Sequence, residues 1–91
     1  MSFSLAFTAD ARAGLEQLDL LLQEDVLDAI DEIARRPTMI KRQSAGGTVV
    51  HDIVCERNGI RHYVFVTVRL GVQMERLDVL EIGHHSRTLG A

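Results

Sequence analysis

The chain has 91 residues, of which 46% are hydrophobic, enough for one domain, residues 1–91, with a single modest core. A net charge of −3 and a pI near 5.7 argue against a general nucleic-acid-binding protein, because such domains usually display a basic face. One cysteine excludes an intrachain disulfide. Together with the lack of a signal-peptide pattern or long apolar run, it predicts a cytoplasmic protein outside the membrane.

The first half of the sequence predicts a short strand and two helices. The segment FSLAFT, residues 3–8, alternates apolar and small polar residues, and Thr8 suits the N-cap of a helix that begins at Ala9. Apolar residues then recur at helical spacing, with a bend or tight connection predicted near residues 20–24. Pro37 ends the second helix. The two apolar stripes consist of Ala11, Leu15, Leu18 and Leu22, and of Val26, Leu27, Ile30, Ile33 and Ala34.

The second half of the sequence predicts three strands. After a polar connector at 38–47, two β-rich runs at 48–57 and 60–69 flank Asn58-Gly59, a pair typical of a type I′ hairpin turn. A turn at 70–75 leads to a last apolar run at 76–85. The predicted order is β-α-α-β-β-β. It indicates an α+β protein in which a helical hairpin packs on one face of a small, mostly antiparallel sheet.

Side-chain alternation along the strand at 60–69 separates a core face from an open face. Ile60, Val64, Val66 and Val68 share one side with His62, and we expect this side to be buried. The opposite side carries arginines, aromatic residues and a threonine, and we expect it to be a functional surface. Its members are Arg61, Tyr63, Phe65, Thr67 and Arg69.

Two adjacent histidines, His84 and His85, follow the last apolar run. Alternation places His84 on the side of Leu80 and Ile82, where we expect it to anchor the strand end by a hydrogen bond. The same alternation places His85 with Val79 and Glu81, which makes His85 the candidate for the open face. An exposed polar residue at a strand end remains the alternative for His85.

The order of elements, NGIRHYVFVTV (58–68) and the closing LDVLEIGHHS (77–86) resemble the RelE/ParE superfamily of bacterial toxins. Many members end in an apolar strand followed by Ile-Gly-His-Arg and a nearby Tyr. His84 matches the motif His, His85 stands at the Arg, and Leu89 falls near the Tyr. The resemblance implies a toxin that a cognate antitoxin neutralises. RelE-like members cut mRNA in the ribosomal decoding site, whereas ParE-like members inhibit DNA gyrase.

The candidate site follows from the chemistry of RNA cleavage, which needs a group that moves a proton and groups that bind phosphate. A histidine titrates near neutral pH and an arginine binds phosphate through two N–H groups. The predicted catalytic residues are therefore His85, Arg61 and Arg87. The predicted substrate-binding residues are Arg69, Tyr63, Lys41 and Arg42. We expect no cofactor and no metal, because the four histidines lack zinc-ligand spacing.

The leading functional hypothesis is ribosome-dependent mRNA cleavage, catalysed by an mRNA interferase that represses translation. The alternatives are a non-enzymatic gyrase inhibitor and a degenerate toxin fold that serves only as a protein-interaction module. The expected partners are the cognate antitoxin and either the ribosome with its mRNA or DNA gyrase. Tyr63 and Phe65 on the open face also predict a homodimer when the antitoxin is absent.

Overall fold

The computed structural model describes residues 3–36, 48–71 and 75–89. These residues form four strands and two helices in the predicted order. The elements are β1 (Ser4–Phe7), α1 (Ala9–Glu16), α2 (Leu20–Arg35), β2 (Thr48–Arg57), β3 (Ile60–Gly71) and β4 (Arg76–Thr88). No helix among the described residues is long and apolar enough to cross a membrane.

Both helices begin at a side-chain cap. The Thr8 hydroxyl accepts a hydrogen bond from the Ala11 amide at 3.1 Å, as predicted for α1. The Asp19 carboxylate accepts one from the Leu22 amide at 2.9 Å, which fixes the start of α2 at Leu20. The predicted connection at 20–24 is therefore wrong by a few residues. It lies at 17–19, because Asp19 caps the helix and the three following leucines already belong to it.

The sheet has the strand order β1-β4-β3-β2, in which β1 is parallel to β4 and the other two pairings are antiparallel. The β2–β3 hairpin turns at Asn58 and Gly59, whose φ angles are +54° and +76°. Both angles are positive, as a type I′ turn requires. The predicted α+β architecture with a mostly antiparallel sheet is confirmed.

The core lies between the helices and one face of the sheet. Val64, Val66 and Val68 on β3 are fully buried, which confirms the predicted core side of that strand. They pack with residues from both helices and from β4. The main helical contributors are Leu22, Val26, Ile30 and Ile33.

A β-bulge in β4 changes the facing of its first half. Thr67 pairs with Glu81 and Val68 pairs with Val79, so Leu80 has no partner residue on β3. Val79 and Ile82 are consequently both buried, although they are three residues apart. The prediction that Val79 shares a face with His85 is therefore wrong, because simple alternation ignores the extra residue. His84 does share the core side with Ile82, two residues before it.

Candidate functional site

The open face of the sheet brings three of the predicted site residues together. In the β3–β4 register, Arg87 lies opposite Arg61 and His85 lies opposite Tyr63. The His85 and Tyr63 rings stack, with their centroids 6.1 Å apart and their planes at 29°. β4 runs to Thr88, three residues beyond the predicted end, because it pairs with β3 as far as Ile60. His85 and Arg87 therefore stand on a regular strand two residues apart and point to the same side.

Arg61 is held in place by an acidic neighbour on β2. Its Nε donates to Glu56 Oε1 at 2.8 Å, and its Nη2 donates to the same oxygen. The Tyr63 hydroxyl and the Glu56 carboxylate both raise the pKa of Arg61. Arg61 thus stays charged and points across the sheet with limited freedom.

Arg87 has no ion-pair partner within the described part of the chain, and its side chain is exposed. Its opposite neighbour is another cation, and like charges directly opposite each other on a sheet are destabilising. Glu56 compensates one of the two positive charges. We call Arg61, Tyr63, His85 and Arg87 the open-face cluster. It carries one uncompensated guanidinium beside a stacked imidazole, an arrangement suited to binding an oxyanion and moving a proton.

Arg69 lies away from the open-face cluster. It is eight residues from Arg61 along β3, a separation of roughly 27 Å. There its Nη2 contacts Asp78 Oδ2 at 3.3 Å. The structure therefore does not bring Arg69 together with the other predicted site residues. Lys41 and Arg42, the remaining predicted substrate-binding residues, lie outside the described residues.

His84 faces the opposite side of the sheet from His85 and contacts another histidine. The distance between His62 Nδ1 and His84 Nε2 is 2.9 Å, so the predicted hydrogen-bonding role of His84 agrees with the geometry. Burial lowers the pKa of His84, the nearby His62 lowers it further, and Asp19 opposes the change. His84 thus links the end of β4 to His62 on β3, on the opposite side of the sheet from the open-face cluster.

Apolar side chains occupy the centre of the open face. Val50 and Val54 on β2 are 59% and 55% exposed, and Phe65 on β3 is 41% exposed. The β2–β3 register places Val54 beside Tyr63. The open-face cluster therefore lies at one end of a surface on which these apolar side chains, with Asp52 opposite Phe65, are left uncovered by the described residues.

The described residues include no group of three or more His, Cys, Asp or Glu side chains that could hold a metal ion. His62 and His84 are neighbours, but His85 points to the other face of the sheet.

Glu56 contacts Arg61 of the open-face cluster but is not among the predicted site residues, although the sequence contains a signal for this contact. In a hairpin with a two-residue turn at Asn58-Gly59, counting outward pairs residue 57 with residue 60 and Glu56 with Arg61. The structure has this register. The pairing of Arg69 with Asp78 had no comparable signal, since it depends on the bulge in β4.

No protein-family profile matches the sequence, and no curated protein matches it. Solved structures are similar. A chain of the RelBE2 toxin–antitoxin complex from Mycobacterium tuberculosis has 18% identity and a TM-score of 0.65, over 93% of this chain and 100% of that one. A chain of the E. coli RelBE complex has 16% identity and a TM-score of 0.67, over 94% of this chain and 100% of that one. A chain of the archaeal RelE–RelB complex from Pyrococcus horikoshii has 10% identity and a TM-score of 0.59, over 91% of this chain and 94% of that one.

These similarities define the fold of the chain. The two helices and the four-stranded mixed sheet of the described residues have the same fold as the RelE structures, and the resemblance of the sequence to the RelE/ParE superfamily is confirmed at the level of the fold.

Proposed function

We propose that the protein is the toxin of a toxin–antitoxin pair and cleaves mRNA on the ribosome in the manner of RelE. The observation that carries this proposal is the open-face cluster, in which His85 stands beside two cross-strand arginines on the uncovered side of a RelE-like fold. The side-by-side guanidinium groups do not stabilise the sheet, and an anionic substrate would explain why they are adjacent.

The cleavage step assigns one role to each side chain of the cluster. His85 accepts the proton of a 2′-hydroxyl, whose oxygen then forms a bond to the adjacent phosphorus while the bond to the 5′-oxygen breaks. Arg87 and Arg61 bind the phosphoryl oxygens, where negative charge increases in the transition state. Tyr63 stacks on His85 and orients its ring. A water molecule protonates the 5′-oxygen, and the hydroxide that it leaves takes the proton from His85. The products are a 2′,3′-cyclic phosphate and a 5′-hydroxyl, with His85 and the water restored.

We further propose a cognate antitoxin as the physiological partner and the cytoplasm as the place of action. The similar structures from M. tuberculosis and E. coli are toxin–antitoxin complexes, and the one from P. horikoshii is a RelE–RelB complex. The uncovered apolar side chains Val50, Val54 and Phe65 offer an antitoxin segment a surface beside the open-face cluster. Covering that surface would also block access of mRNA to His85.

Cell-free translation with purified protein tests the proposal, with mRNA ends mapped by primer extension. We expect codon-aligned cuts that require ribosomes. His85→Ala should reduce the rate of cutting by about 10²–10⁴-fold, the range typical of a lost general base. His84→Ala is the matched control, because this histidine is its sequence neighbour but faces the other side of the sheet, and it should leave cutting largely intact.

Circular dichroism of both variants establishes that they are folded. Intact mRNA in the presence of folded wild-type protein and active ribosomes contradicts the cleavage mechanism. Equal loss of cutting in the two folded histidine variants contradicts the assignment of His85.

A non-enzymatic gyrase inhibitor is the second candidate, and one position favours it. Leu89 stands near the place of the tyrosine found in many superfamily members, and its amide donates to the Gly59 carbonyl at 2.8 Å. Leu89 cannot supply a phenol to a cleavage reaction. Inhibition of gyrase supercoiling by protein that leaves mRNA intact would establish this function. Folded protein inactive in both assays, and harmless to growth on expression, would instead be a degenerate interaction module.

A further inference from the structure

A second cationic site lies at the opposite end of the open face, around a buried carboxylate. Asp78 is only 8% exposed and is the buried charged residue of the described chain. Arg69 Nη2 lies 3.3 Å from its Oδ2, and Arg76 Nε lies 2.7 Å from its Oδ1. Two guanidinium groups thus share one carboxylate, which leaves one positive charge in excess.

The two arginines keep hydrogen-bonding capacity for a further group. Their side chains are 53% and 41% exposed, whereas that of Asp78 is 11% exposed. Each guanidinium has five N–H donors, and the contacts with Asp78 use only some of them. The Arg76 Nε is buried and close to the carboxylate, but the angle is not that of a hydrogen bond. Asp78 therefore holds the two arginines in place and leaves some of their N–H donors free for a further group.

The β4 bulge and the start of α1 shape a cavity next to these arginines. The Thr8 hydroxyl donates to the Leu80 carbonyl at 2.6 Å and the Thr8 amide to the Val79 carbonyl at 3.0 Å, which holds the bulged residue against the end of β1. The resulting cavity of about 230 Å³ is lined by Ala6, Phe7, Thr8, Leu80 and the three charged residues. No other carboxylate among the described residues lines it.

We infer that this cavity binds a singly charged phosphate group, as found in a phosphodiester or a singly ionised phosphomonoester. One negative charge balances the excess guanidinium. Arginine forks bind phosphate oxygens through paired N–H groups, and the exposed faces of Arg69 and Arg76 approach the cavity from two neighbouring strands. The inference does not depend on mRNA cleavage, since Arg69 lies six residues along β3, about 20 Å, from Tyr63, the nearest residue of the open-face cluster on that strand.

Titration of ¹⁵N-labelled protein with inorganic phosphate, followed by NMR, tests the inference. We expect saturable shifts of the amides of Phe7, Thr8 and Leu80. Arg69→Lys keeps the positive charge and the ion pair with Asp78 but loses the paired N–H groups of the guanidinium. This exchange should weaken the binding of phosphate about tenfold. Arg12→Lys on α1 is the matched control, because it makes the same exchange outside the cavity, and should bind phosphate as the wild type does.

Three outcomes would overturn the inference: no saturable shift in folded wild-type protein, equal affinity in the Arg69→Lys variant, and acetate binding as tightly as phosphate. A dinucleoside monophosphate and a phosphorylated monosaccharide then separate the two sources of phosphate. Tighter binding of the dinucleotide assigns the site to a nucleic-acid backbone, and tighter binding of the sugar phosphate assigns it to a small metabolite. Cleavage assays on Arg69→Lys report separately on the proposed function.

Discussion

Two neighbouring histidines on β4 have different surroundings because a strand points successive side chains to opposite faces. His85 stacks on Tyr63 in the open-face cluster, and His84 contacts His62 on the helix side. The adjacent identical residues therefore form an internal control. A change at His85 alters the candidate site, and the same change at His84 alters the contact with His62 on β3.

The pKa of His84 predicts how this residue affects stability. Burial and His62 lower that pKa in the folded protein, so the unfolded chain takes up a proton first as the pH falls below about 6.5. The free energy of unfolding should therefore decrease as the pH drops through this region and level off below the folded pKa. His84→Gln removes the group that titrates. Urea unfolding should therefore show a smaller loss of the free energy of unfolding for this variant than for the wild type between about pH 7 and pH 5.

His51→Gln serves as the comparison for that experiment, because it removes a histidine from β2 instead. The explanation fails if wild type and His84→Gln lose the same free energy of unfolding on acidification.

At the scale of elements, α1 approaches β4 closely at Gly14. A Cβ added at Gly14 would lie 2.2 Å from the Ile82 carbonyl oxygen, a backbone atom that cannot rotate away. The helix thus approaches the sheet to a distance that a larger residue prevents. This approach lets the short helix α1, with eight residues, cover the central strand.

Gly14→Ala should destabilise the protein, even though alanine is favoured over glycine inside a helix by about 1 kcal/mol. The overlap with the Ile82 carbonyl must separate α1 from β4, and overpacking of this kind costs about 1–3 kcal/mol. Thermal unfolding followed by circular dichroism measures the effect. Ala13→Gly, at the exposed neighbouring position, should cost only the helix preference, and an unchanged or raised Tm for Gly14→Ala would contradict the packing argument.

The elements themselves were predictable because each depends on local signals. Thr8, Asn58-Gly59 and the alternation through Val64, Val66 and Val68 determine a cap, a turn and a buried face over a few residues. The parallel pairing of β1 with β4 and the bulge at Leu80 depend on contacts between residues more than 70 positions apart. The open-face cluster could therefore be predicted near the turn, because side chains on β3 and at the end of β4 alternate regularly between the two faces of the sheet there. The separation of Arg69 was not, since it required the register of the whole sheet.

At the scale of the whole molecule, the net charge of −3 coexists with exposed guanidinium groups at both ends of the open face. Apolar side chains lie between them, together with the carboxylates of Asp52 and Glu81. The excess of acidic over basic residues falls in the first half of the chain, which contributes most of the helical side. The molecule is thus acidic in total while one side of its sheet carries exposed guanidinium groups. A low pI alone therefore does not argue against an anionic substrate.

The apolar centre predicts self-association of the isolated protein. Val54 and Phe65 are exposed on a flat sheet face, and a second copy would bury them. Sedimentation velocity should show a concentration-dependent increase in mass, and Val54→Thr should weaken it while preserving a β-branched side chain. Leu20→Gln, an equally polar exchange at the start of α2, is the matched control. A monomer at all concentrations, or equal effects of both exchanges, contradicts association through the open face.

The central position of β4 in the sheet has a consequence for synthesis. β4 follows the other strands along the chain, yet it pairs with both β1 and β3. The Ser4 amide at the start of β1 donates a hydrogen bond to the Glu75 carbonyl, which is synthesised much later. During translation the β2–β3 hairpin is free to form early, whereas β1 has no sheet to join until β4 has emerged. The open-face cluster is divided between β3 and β4 in the same way. A nascent chain that has not yet exposed residues 76–88 therefore carries neither the complete four-stranded sheet nor the assembled open-face cluster.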